Sequence, residues 1–137
     1  MNVVRPPLLM ILLSDPVLAD LTEFRLELLG YRTRRLRTVD DATASIIDET
    51  PALLILDSKL GEVDGLAWLA TLRATTPAEQ MPVLVFSLDP SLDTVRRAYE
   101  SGAQDYLITP FDPTVMEQKI AQGIAFRREL VSSGSGR

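Results

Sequence analysis

Short unbroken apolar runs alternate along the chain with stretches whose apolar residues recur every three or four positions. Leu8-Leu9-Met10-Ile11-Leu12-Leu13 is the first run, closed by Ser14-Asp15-Pro16. Runs of that length bounded by turn residues predict strands buried on both faces. Pro16 suits the first turn of a helix with Asp15 at its cap. Val17, Leu21, Phe24 and Leu28 recur at helical spacing, predicting a first helix over 16–29 that Gly30 stops. A polar strand over 31–36 follows, and Asp40-Asp41 open a second helix with Ala42, Ile46 and Ile47 inward, ending before Pro51. The remaining elements are a strand over 52–56, a helix over 65–74 on Leu66, Leu69 and Leu72, and a strand over 82–86. A helix over 90–100 stopped by Gly102, a strand over 106–108, and a helix over 113–130 on Met116, Ile120 and Ile124 complete the chain. Five strand-then-helix units predict an α/β domain: a parallel sheet with helices on both faces and right-handed crossovers.

Composition narrows the chemistry. The 137 residues are 46% hydrophobic and 24% charged, which fits one globular domain. We expect that domain over residues 1–130, with 131–137 a flexible linker or appended tail because of its Ser-Ser-Gly-Ser-Gly composition. Cysteine and histidine are both absent. That removes disulfides, thiol nucleophiles, thiolate or imidazole metal sites and any Ser-His-Asp arrangement. A hard cation on carboxylates stays open. A net charge of −5 argues against nucleic-acid binding by this domain. Leu8 to Leu13 is too short for a membrane helix and lacks the flanks of a signal peptide, so a cytoplasmic location is expected.

Asp57 carries the most functional information. It follows the buried run Leu53-Leu54-Ile55-Leu56, so its carboxylate stands where a strand leaves the core at its C-terminal end. That edge is where ligands collect in open α/β sheets. With Asp64-Gly65 after it, this segment resembles the phosphoacceptor strand and loop of the response-regulator receiver domain, the module of bacterial two-component signalling. Ser87 falls on that family's Ser/Thr switch position. Gly102-Ala103-Gln104-Asp105-Tyr106-Leu107-Ile108 resembles the start of its fifth strand, with Tyr106 on the aromatic switch position. Pro110-Phe111 matches the end of its Lys-Pro-Phe motif. The resemblance covers residues 8–130. It implies a flavodoxin-like (βα)5 doubly wound parallel sheet of strand order 2-1-3-4-5.

Two departures stand out. The family places two adjacent acids after the first strand to hold Mg²⁺; alignment on Pro16 and Gly30 puts Leu13 and Ser14 there, with Asp15 one residue later. The family lysine before Pro-Phe is Thr109. Phosphoryl transfer onto a carboxylate depends on positioning and on cations that offset the gathering negative charge. If Mg²⁺ binds at all, the resemblance implies Asp15, Asp57 and the Lys59 backbone carbonyl as ligands. The Lys59 side chain could fold over the pocket as an internal cation, or remain a solvated loop lysine. Asp15 could equally be a simple helix cap. Arg32, Arg34, Arg35 and Arg37 suit a charged edge strand, or else a patch for an acidic partner. Arg127-Arg128 suit the end of the last helix.

Two functions therefore stay open, neither of them enzymatic in its own right. One is an atypical or pseudo-receiver that signals by protein contact. The other is a working phosphoacceptor that takes a phosphoryl group onto Asp57, with Ser87 and Tyr106 reporting the change. The resemblance implies a histidine kinase or other signalling protein as partner and an output domain beyond the linker. It also implies a homodimer through the face of the fourth helix, fifth strand and fifth helix. A flavodoxin-like small-molecule binder fits poorly, because Ser14-Asp15-Pro16-Val17 has no glycine to cradle a phosphate.

Overall fold

The apolar runs become the centre of one sheet. A computed structural model describes residues 5–135. Its elements are β1 (Leu8–Leu12), α1 (Pro16–Leu28), β2 (Arg32–Arg35), α2 (Val39–Asp48), β3 (Leu53–Asp57), β4 (Lys59–Leu60), β5 (Val63–Asp64), α3 (Gly65–Leu72), β6 (Val83–Ser87), α4 (Leu92–Glu100), β7 (Asp105–Ile108) and α5 (Pro113–Ser135). The main sheet is parallel, in the order β2-β1-β3-β6-β7. With β4 and β5 set aside, this is the flavodoxin-like order 2-1-3-4-5. The pair β4–β5 is a separate antiparallel hairpin inside the β3–α3 connection, which the residue pattern did not predict.

Each central strand is apolar throughout because it is covered twice. Met10, Leu12, Leu54, Leu56, Val83 and Val85 face one core with α2, α3 and α4. Leu9, Ile11, Leu53, Ile55, Leu84 and Phe86 face the other with α1 and α5. Burying each such side chain stabilises the fold by about 1.5–3 kcal/mol. The register pairs Leu12 with Leu56, Asp57 with Phe86, and Ser87 with Ile108. Strand ends carrying polar side chains are thereby aligned at one edge.

The edge strand β2 carries the arginines, and they are spent on neighbouring acids. Arg32 and Arg34 reach Glu49, and Arg35 reaches Asp20. Arg127 donates to the Gln80 carbonyl at 2.8 Å, while the Arg128 side chain lies outside the described residues. α5 runs to Ser135, five residues past the expected end at 130.

One expectation about faces needs correction. Ile47 was expected inward on α2, but it is 82% exposed; Ala42 and Ile46 are the buried pair. Val17, Leu21, Phe24 and Leu28 do mark a helix, yet all four point to solvent at 62–72% exposure. Ala19, Thr22 and Leu26 seat α1 on the sheet instead. The helix has two apolar sides, and the bulkier one is not the core side. Arg73 was not singled out, yet its half-buried guanidinium holds three segments together. It donates to the carbonyls of Gly102 (2.7 and 3.0 Å), Thr76 (3.1 Å) and Met81 (2.6 Å). Burial lowers its pKa. Gly102 is fitted to this contact: its φ is +110°, and a Cβ there would lie 2.6 Å from Arg73 Cγ.

Gly65 lets α3 begin directly against the end of β3. A Cβ at this position would stand 2.2 Å from the Asp57 carbonyl oxygen. Neither partner is a movable side-chain tip, so Gly65→Ala is expected to cost about 1–3 kcal/mol. A urea titration checks this: the midpoint should fall while the slope stays that of the parent.

Candidate functional site

The C-terminal edge of the sheet opens into a cleft of about 650 Å³. Ser14, Asp57, Ser58, Lys59, Ser87 and Thr109 all line it, as do Asp64 and Arg97. These come from separate stretches of the chain; most follow a buried strand or open the next helix, and Arg97 reaches in from the last turn of α4.

Asp57 is half-buried and held by neutral donors. Its Oδ2 accepts from the Ser14 amide at 3.3 Å and the Ser14 hydroxyl at 3.0 Å; its Oδ1 accepts from the Lys59 amide at 3.3 Å. Ser14 Oγ also lies 3.1 Å from the Lys59 carbonyl. One hydroxyl proton is thus shared between a carboxylate and a carbonyl oxygen. The Lys59 side chain is exposed, and its ammonium makes no ion pair among the described residues, so the internal cation entertained above is not formed. What reaches Asp57 from Lys59 is the backbone N–H.

Asp15 caps α1. Its Oδ1 accepts from the amides of Val17 (2.9 Å) and Leu18 (3.4 Å). This satisfies two of the helix's orphan donors. Leu13 turns into the core with α1 and α5. Among the described residues, no cluster of three acidic side chains forms.

A second chain of contacts leads away from Asp57. Ser58 Oγ donates to Ser87 Oγ at 2.9 Å, and the Asp89 amide donates to the same hydroxyl at 3.1 Å. Tyr106, 8% exposed, donates its hydroxyl to the Asp89 carbonyl at 2.6 Å. Burial pushes the Tyr106 phenol up, and the Ser87 hydroxyl partly offsets it. Thr109 donates its amide to the Ser87 carbonyl at 2.8 Å, and its hydroxyl lies 3.3 Å from the same oxygen. The two switch positions read from the sequence, Ser87 and Tyr106, are therefore joined through one loop, 88–89.

A second cation lining the cleft is Arg97 of α4, which no sequence signal marks. It is bonded to Oδ2 of Asp64, whose Oδ1 caps α3 through the amides of Leu66 and Ala67. The Arg97 bond is the main reason the Asp64 carboxyl sits below its ordinary 3.8, with burial working against it. A spacing of 33 residues with no local signal hid this pair.

Comparison with known proteins places this arrangement. The model of the response regulator receiver domain matches residues 10–121. The chain belongs to the response regulator receiver family. The transcriptional regulatory protein ZraR of Salmonella typhimurium is 31% identical over 100 residues, covering 73% of this chain and 22% of ZraR. RpaA of Synechocystis, a DNA-binding dual master transcriptional regulator, is 30% identical over 114 residues, covering 83% of this chain and 47% of RpaA. The receiver thus spans between about a fifth and about half of the curated relatives it matches. Among solved structures, NtrX from Brucella abortus superposes with a TM-score of 0.87 at 25% identity, over 96% of this chain and 30% of that one. A CheY-like receiver from Methanospirillum hungatei gives 0.82 at 23% identity, over 90% and 98%. The latter supports the fold alone.

Two outcomes test the geometry. Ser14→Ala removes the shared hydroxyl and should cost about 1 kcal/mol in chemical denaturation. Asp64→Asn keeps the cap but loses the charge on Arg97. Because the folded carboxyl lies below its ordinary value, its stabilisation is present above that value and lost as pH falls through the folded one. Parent and variant melts should therefore differ at pH 6 and converge as pH falls below the folded value, by a small margin because both side chains are half exposed.

Proposed function

We propose that this receiver domain is an atypical one, acting mainly through protein–protein contacts. The observation that carries the reading is the Ser14 hydroxyl lying between Asp57 Oδ2 and the Lys59 carbonyl. That hydroxyl bridges two oxygens that the family resemblance would give to a divalent cation. Mg²⁺ takes near-octahedral oxygen ligands, usually one or two carboxylates with waters. Asp57 offers one carboxylate, already hydrogen-bonded twice by Ser14. Asp15 commits its Oδ1 to the α1 amides. This donor set does not fit a dedicated Mg²⁺ site. Thr109, on the lysine position, brings a hydroxyl and no charge.

In this reading the signalling surface is the face of α4, β7 and α5. Leu92, Tyr99 and Ile108 are exposed there at 69%, 47% and 40%. Asp105 is anchored between them by Lys119 at 2.8 Å and by the Tyr99 hydroxyl at 3.3 Å. Partners of this face would be a kinase, another signalling protein, or an output domain joined beyond the tail, as the regulatory names of the relatives suggest. The chain includes no helix, among the described residues, long and apolar enough to cross a membrane, in keeping with cytoplasmic signalling.

A second reading, a working phosphoacceptor, is favoured by one observation. The hydroxyls of Ser58, Ser87 and Tyr106 form a connected path from beside Asp57 into the α4 loop. That path would register a phosphoryl group on Asp57.

Intact mass after incubation with a small phosphodonor, with and without Mg²⁺ and beside an Asp57→Asn control, separates the two. The atypical reading expects unmodified protein in all arms and unchanged contacts with partners. A phosphoryl adduct on the parent, absent from the control, overturns it in favour of the second reading.

A further inference from the structure

α1 carries an apolar seam that its own domain does not use. Val17, Leu21, Phe24 and Leu28 are exposed at 64%, 62%, 65% and 72%. At about 100° per residue they fall on one narrow stripe, half a turn from Ala19, Thr22 and Leu26, which seat the helix on the sheet. Their spacing is four, three, four, the a/d spacing of a helix that packs against another helix. Scattered surface leucines need no explanation, but four large apolar side chains in one seam mark an interaction surface.

We propose that this seam pairs with the same seam of a second copy of the chain, antiparallel about a two-fold axis. The spacing reads the same in both directions. In an antiparallel pair Leu21 faces Phe24 of the second copy and Val17 faces its Leu28, so four layers close with a larger residue always opposite a smaller one. An isologous contact requires such self-complementarity.

The charges at the flank agree. Asp20 and Glu27 border the seam on one side. Asp20 is bonded to Arg35 of β2, and Arg35 remains 32% exposed. Antiparallel pairing carries Glu27 of one copy towards the Asp20–Arg35 pair of the other, where one guanidinium stands between two carboxylates. On the other flank Arg25 is already paired with Glu117 of α5 at 2.5 Å. The helix is preformed on a rigid domain, so pairing does not have to order it. A seam of under two heptads falls short of the roughly 800 Å² per partner of a standard interface. The pairing is therefore a concentration-dependent equilibrium, with a dissociation constant on the order of 100 μM. It uses a different face from α4, β7 and α5 and does not depend on the state of Asp57.

Sedimentation velocity of the 137-residue chain from about 10 μM to about 1 mM tests the equilibrium, beside Leu21→Glu, Phe24→Glu and, on α4, Leu92→Glu. All three positions are exposed, so folding is expected to survive, and a thermal melt confirms it. A dimer weakened by roughly a hundredfold in the α1 variants and retained in Leu92→Glu is the expected result. Orientation is read separately. The chain has no cysteine, and Val17 and Leu28 lie about 16 Å apart along the helix, too far for a disulfide within one copy. Val17→Cys with Leu28→Cys should oxidise to a reducible covalent dimer, whereas Val17→Cys alone should not. A chain that stays monomeric to 1 mM, and so leaves the seam to another helical partner, overturns the proposal. So does a dimer broken by Leu92→Glu and not by Phe24→Glu, or equal cross-linking by Val17→Cys alone.

Discussion

The structure turns on burial of the central strands from both sides. Met10, Leu12, Leu54, Leu56, Val83 and Val85 are essentially without solvent on one face, and Leu9, Ile11, Leu53, Ile55, Leu84 and Phe86 on the other. Inside such strands no polar side chain can be accommodated without a partner, because burying one unpaired costs several kcal/mol. The first polar residues can appear only where the strands emerge. Ser14, Asp57, Ser58, Ser87 and Thr109 are those residues. The parallel register then lines them up at one edge. The cleft follows from the core and does not have to be built separately.

The same constraint explains what could be read from the chain. Continuous apolar runs locate β1, β3 and β6 within a residue or two, and Asp15, Asp64 and Ser91 occupy the cap positions of the helices that follow. Periodicity says that a helix exists but not which side is inward when two sides are apolar. On α1 the apolar spacing marked the helix but not its inward side, which is the trio Ala19, Thr22 and Leu26. Ile47, expected inward beside Ile46, is 82% exposed. The three-carbonyl clasp of Arg73 and the Arg97–Asp64 pair join residues about 30 apart, or distant loops, and leave no local trace. Ser14 was read from the resemblance as standing at a position of the family's acid pair. Its contact with Asp57, 43 residues away, was not.

Electrostatics then decide how the cleft can respond. Asp57 is stabilised by two amides and one hydroxyl, all neutral, in a half-exposed place. Neutral donors steady a single carboxylate charge but do little for the extra charge of a phosphoryl group, for which cations are the usual counterweight. The guanidinium lining the cleft is that of Arg97, and it is already bonded to Asp64 at the cap of α3. A negative charge added beside Asp57 that drew on Arg97 would compete with Asp64 for it. Winning it would loosen the tie between α4 and the start of α3.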